Sequence, residues 1–203
     1  MGTPVRSHTG RAVPLRRSSV DTDQIIPAEF CKRLGRTGYA DTLFFRWRDD
    51  PHYPLAKPEY AGASVLIAGP EFGIGSSREH AVWALRDSGF LVIIAPSFGD
   101  IFRANATKNL LITARVDEQT VARLWDLAED LPKTTITVDL TTSQLQAGPL
   151  IRSFELDDYS RWQLINGIDE IDATLQHSQV IAEYEERRPS WLPQVVITGG
   201  GRA

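Results

Sequence analysis

The chain has one cysteine, Cys31, among 203 residues. That excludes an intrachain disulfide and any cysteine-rich metal site within the chain, and a reducing cytoplasm is the expected setting. No stretch reaches the roughly 20 apolar residues of a membrane span. Met1–Arg6 carries no apolar signal core, so neither membrane insertion nor export is expected. Excess positive charge is lacking too. The 22 Lys and Arg stand against 26 Asp and Glu, a net charge of −4 that gives a nucleic-acid role no support. The basic clusters at Arg11, Arg16 and Arg17 and at Lys32, Arg33 and Arg36 read as solvated surface, the second within a candidate substrate loop. Nucleotide loops are incomplete. Gly73-x-Gly75 lacks the third glycine of a dinucleotide fingerprint, and no Gly-Lys-Ser/Thr follows.

What is present suits one globular domain with a helical appendage. At 42% hydrophobic and 24% charged, the composition is ordinary for a folded domain, and the length buries a substantial core. The expected organisation is an α/β domain over 1–156, a helical extension over 157–188 packed on it, and a disordered tail over 189–203. Residues 1–20 read as extended, Glu29–Arg33 as one helical turn, and 46–61 as a surface excursion rich in proline and charge. Strands are predicted over 63–69, 90–96 and 110–116, alternating with helices over 76–88 and 99–107. Gly89 is a candidate left-handed cap. The apolar run Phe90–Pro96 fits a strand buried on both faces. Asp117 caps a helix over 118–130, and strands near 134–140 and 150–155 flank a turn-rich connection. Helices over 157–168 and 171–187 close the chain, with Trp162, Leu164, Ile165, Leu175, Ile181 and Tyr184 expected to pack.

The most informative stretch is Gly69-Pro70-Glu71-Phe72-Gly73-Ile74-Gly75-Ser76-Ser77-Arg78-Glu79-His80-Ala81. A glycine turn leads from a strand into a helix N-terminus, where unpaired N–H groups and the positive helix end collect negative charge. A carboxylate-bearing substrate is the natural occupant. Ser76 with Glu79 also fits a capping box, which occurs in many helices that catalyse nothing.

The whole string resembles the active-site segment of the aconitase swivelling domain. Three further blocks agree: Asp21-Thr22-Asp23-Gln24-Ile25-Ile26-Pro27-Ala28, Phe98 to Asn105, and Asn166 to His177. With His8-Thr9-Gly10 and Arg36-Thr37-Gly38-Tyr39, the order is similar to the 3-isopropylmalate dehydratase small-subunit family of leucine biosynthesis, from about His8 to Trp191. The resemblance implies an aconitase-like swivelling domain of β/β/α layers, with a mixed or parallel sheet and C-terminal helices. It also implies a cytoplasmic hydro-lyase that isomerises 2- and 3-isopropylmalate through 2-isopropylmaleate. Ser76 would be the base that takes a proton from carbon, with Asp23 in the active site. Gly75, Ser77 and Arg78 would bind the dicarboxylate substrate, arginine offering two parallel hydrogen bonds to a carboxylate.

The loop Cys31–Gly38 corresponds to the stretch that contacts the variable end of the substrate. Arg33 and Leu34 are its candidates, Leu34 for the branched alkyl group. Asp21, His80, Asp100 and Asn105 are weighed as turn, packing or capping residues, and the role of Asn109 stays open. Family members use a 4Fe–4S cluster held by cysteines. With one cysteine here, the resemblance places the cluster on a separate large subunit, the partner in a heterodimer, and leaves no metal site on this chain. Relatives acting on homoaconitate, citraconate or dimethylmalate remain an alternative substrate reading. A non-catalytic anion-binding module remains a further one.

Overall fold

The computed structural model describes residues 3–50, 53–189 and 191–193. The chain forms two compact units, 1–169 and 170–203.

In the first unit, seven strands line up in the order β4-β3-β2-β1-β5-β6-β7. β1 (Ser7–Leu15), β2 (Val65–Ala68), β3 (Val92–Ala95) and β4 (Ile112–Arg115) run parallel. β5 (Thr135–Asp139) pairs antiparallel with the other edge of β1, and β6 (Gln144–Ala147) and β7 (Leu150–Ser153) extend that half. Alternate residues of the parallel half point to opposite faces. Val13, Leu15, Leu66, Ala68, Ile93 and Ala95 join one core, covered by α2 (Glu79–Asp87) and α3 (Asp100–Lys108). Val65, Ile67, Val92, Ile94, Ile112 and Ala114 join the other, which receives Val121, Leu124 and Ala128 of α4 (Glu118–Asp130) and Leu164 of α5 (Asp158–Asn166). Both faces are dry, which is why β2 and β3 read as continuous apolar runs. The expected α/β fold with a mixed sheet is present.

The helix ends explain where the chain turns. Asp117 accepts from the Thr120 amide at 2.7 Å and caps α4. α2 ends in a Schellman motif: Gly89 has φ +94°, its amide bonds Arg86 at 2.9 Å, and the Phe90 amide bonds Leu85 at 3.0 Å. In the stretch between β1 and β2, α1 (Thr22–Ile25) is followed by short 3-10 turns that include Ala28–Lys32, Ala40–Thr42 and Phe45–Trp47. Tyr39, Phe44, Tyr53 and Tyr60 from this stretch are buried in the first core, so the excursion is packed structure as well as surface.

Several expectations change. The turn-rich connection contains β6, whose polar Gln144 and Gln146 alternate with buried Leu145 and Ala147. α2 starts at Glu79, three residues later than 76, because the glycine turn holds Ser76, Ser77 and Arg78 outside the helix. The helix expected over 171–187 is two, α6 (Glu170–Leu175) and α7 (Ser178–Glu186). Only Leu164 and Ile165 of the six expected packing residues join a core; Leu175 and Tyr184 are 60% and 63% exposed, and Trp162 and Ile181 are a little over one-third exposed. Within the tail expected over 189–203, Ser190 and residues 194–203 lie outside the described residues.

Candidate active site

The site lies beyond the C-terminal ends of β1 and β2, where parallel strands discharge their loops and α/β sheets bind ligands. The turn after β2 is fastened to the loop after β1. Asp21 and Ile74 form a parallel bridge, the Thr22 amide bonds Ile74 O at 2.9 Å, and the Gly73 amide bonds Val20 O at 2.7 Å. The loop after β3 closes the other side, Phe72 and Phe98 forming a second bridge. Gly73 has φ +76°, and a Cβ there would overlap the Phe102 ring, so the backbone demands glycine on two counts.

Asp21 and Asp23 separate by function. Asp21 is the N-cap of α1: its carboxylate accepts from the Gln24 amide at 2.7 Å, while Gln24 Oε1 accepts from the Asp21 amide at 2.9 Å. The capping box of this region is therefore Asp21–Gln24, and Ser76 makes none. Asp23 faces Arg78. The guanidinium donates through Nη1 to Oδ1 and through Nη2 to Oδ2 at 2.9 Å, a bidentate pair spanning 55 residues of sequence. The hydrogen-bonded guanidinium holds the Asp23 carboxyl below its usual range, and the carboxylate raises Arg78 in turn. Asp23 thus stays ionised and Arg78 enters any binding event already charge-balanced.

Gly75, Ser76 and Ser77 are exposed, directly before this pair. Thr22 Oγ1 donates to Ser76 O at 3.0 Å and fixes the serine backbone, a contact not foreseen from sequence. Arg78 is the N-cap residue of α2 and its side chain does not cap the helix; the Ala81 amide bonds Arg78 O at 3.1 Å. Asn109 has a structural role. Its Nδ2 donates to Glu79 Oε1 at 2.8 Å and to Asn105 O at 2.9 Å, while its Oδ1 accepts from Trp83 Nε1 at 3.0 Å. This amide ties the first residue of α2 to the end of α3. His80 packs against Trp83 and Tyr39, ring centroids 4.6 and 5.5 Å away, as a packed aromatic. Asp100 is exposed in the first turn of α3 behind a Gly99 cap, and neither it nor Asn105 caps that helix.

The loop candidates are not brought to the serines. Arg33 donates to both oxygens of Asp41 at 2.7 and 2.8 Å and to Gly38 O at 2.7 Å, and stacks on Phe30. Leu34 is 98% exposed. Cys31 borders the ion pair, and burial pushes its thiol up. Among the described residues no three His, Cys, Asp or Glu side chains converge as for a metal ion, and no helix is long and apolar enough to cross a membrane.

Comparison with known proteins identifies the family. The model of the aconitase C-terminal domain matches residues 3–119, and the model of the C-terminal domain of the 3-isopropylmalate dehydratase small subunit matches 170–194. A 3-isopropylmalate dehydratase small subunit from Acidothermus cellulolyticus is 56% identical over 94% of this chain and 96% of its own length. One from Streptomyces coelicolor is 56% identical over 93% and 96%. In fold, the chain is similar to a crystal structure of 3-isopropylmalate dehydratase from Methanocaldococcus jannaschii, with TM-score 0.65 and 23% identity over 87% of this chain and 98% of that one. The chain belongs to the family of 3-isopropylmalate dehydratase small subunits, built on the aconitase C-terminal domain.

Proposed function

We propose that this chain is the small subunit of a cytoplasmic hydro-lyase that interconverts 2- and 3-isopropylmalate by loss and return of water in leucine biosynthesis. The observation that carries the reading is the exposed Gly75-Ser76-Ser77 turn held beside the Asp23–Arg78 pair. Dehydration begins with removal of a weakly acidic proton from carbon, and Ser76 is the base. A helix end stabilises a nearby anion by about 0.3–1 kcal/mol when exposed and ~2 kcal/mol when partly buried. An alkoxide needs more, and the N–H donors of Arg78 supply it as hydrogen bonds rather than as net charge, strengthened when a partner closes the site and excludes water. Ser77, Gly75 and Arg78 bind carboxylate, and Asp23 holds the Arg78 fork in plane. Leu34 meets the alkyl group once the site is closed, with Arg33 bracing its loop through Asp41.

The residues of this chain do not fit an iron–sulfur cluster: four thiolates are the usual set, and the chain has Cys31 alone. The cluster and its chemistry are assigned to a large subunit, with which this chain forms a heterodimer. Anaerobic co-expression with that subunit, following 2-isopropylmaleate by its ultraviolet absorbance, tests the reading. Activity that needs both chains and collapses in Ser76→Ala is expected. An intact pair with no turnover of isopropylmalate would send the substrate assignment to another alkyl malate, or the chain to a binding role.

A further inference from the structure

Among the described residues the candidate site holds one guanidinium, Arg78, and its charge is already balanced by Asp23. A dicarboxylate brings two negative charges. A second cation is needed, and the 3-10 turn Phe45–Trp47 carries one. This turn is anchored at every position except Arg46. The Phe44 amide bonds Ile25 O at 2.8 Å, joining the turn to the end of α1, two residues from Asp23. Phe44 is fully buried with φ +46°, a conformation that an aromatic residue adopts only where its surroundings impose it. Its ring stacks on Trp47 at 4.8 Å, and Arg17 lies over Trp47 at 4.3 Å and pairs with Asp50 at 2.6 Å. Phe45 meets Phe30 edge-on at 5.0 Å. Arg48 donates to Ala40 O at 3.0 Å. Arg46 is exposed and, among the described residues, has no hydrogen-bond or ion-pair partner. It follows Phe45, which packs on Phe30, and Phe44, which is bonded to Ile25 at the end of the helix that carries Asp23, and its charge acts on the Asp23 carboxylate.

The geometry points to Arg46 as a second substrate-binding cation of this site, taking the carboxylate that Arg78 does not. This rests on the dicarboxylate reading above. Inhibition constants for the complex with the large subunit test it, in wild type, Arg46→Lys and Arg46→Gln. The probes are 2-isopropylsuccinate, which has no hydroxyl to lose, and the two monocarboxylates left when either carboxylate is removed, 4-methylpentanoate and 2,3-dimethylbutanoate. Arg46→Gln should weaken 2-isopropylsuccinate about tenfold or more, as expected for a lost charge-assisted hydrogen bond. It should spare one of the monocarboxylates, and Arg46→Lys should lose less. Unchanged 2-isopropylsuccinate binding, or an equal loss for all three probes, overturns the assignment. A wild-type complex that binds the dicarboxylate without turning over isopropylmalate would count against the proposed reaction while the Arg46 comparison still decides.

Discussion

The tasks proposed for Ser76, Asp23 and Arg78 are separable, so their variants should fail in different ways. Ser76 is exposed and makes no helix cap, so Ser76→Ala should leave the thermal midpoint within a degree or two. It should cost about 10²–10⁴-fold in kcat, the range for loss of a general base. A normal kcat would reduce Ser76 to a turn residue. Asp23→Asn removes the ionised partner of a half-exposed pair, worth under about 1 kcal/mol of stability. The larger effect is expected on substrate affinity, because the Arg78 fork loses its bidentate brace; an unchanged KM would sink that role. His8 reports on pH. Burial, reinforced by the nearby Arg86 charge, lowers its pKa below 6.5, and its ring nitrogen contacts Ser64 Oγ at 2.8 Å. The unfolded chain therefore takes up this proton first on acidification. Stability should be full above about pH 6.5 and fall as pH drops toward the folded value. His8→Gln should flatten that part of a thermal-denaturation series.

Among the elements, the glycine turn between β2 and α2 is the one whose shape cannot be traded. Gly73→Ala meets both a positive φ and the Phe102 ring, so it should cost about 2 kcal/mol or more. That is roughly 4–8 °C in the thermal midpoint of a chain this size, readable by circular dichroism. An unchanged midpoint would mean the turn relaxes freely. This element was legible in sequence because glycines, hydroxyls and an arginine at fixed spacing have few physical uses together. The parallel strands were equally plain, since burial on both faces leaves unbroken apolar runs. β6 was hidden because its outward glutamines and two inward side chains resemble a polar connection. The true start of α2 was hidden because Ser-x-x-Glu satisfies a local rule that the Thr22 and Ile74 contacts override. Asn109 was invisible as a partner for a simpler reason. It meets Trp83 and Glu79 across 26 and 30 residues of sequence, and nothing local marks those pairings.

At the scale of the whole molecule, the chain supplies a serine, an ion pair and carboxylate donors, but no thiolate set. Large-subunit binding should stabilise the folded chain by mass action, raising its thermal midpoint with partner concentration. A midpoint indifferent to the partner would argue against the two-chain reading. β1 also has a consequence for synthesis. It is the seam of the sheet, pairing parallel with β2 on one side and antiparallel with β5 on the other. During translation the first partner emerges by residue 68, whereas the second is complete only at residue 139. At about 5–20 residues per second, that leaves one edge of a central strand unpaired for on the order of ten seconds. A ribosome-bound chain stalled between those points presents that edge to whatever is near. The nascent protein therefore has most need of a chaperone before its antiparallel half exists, after the residues of its glycine turn have already been made.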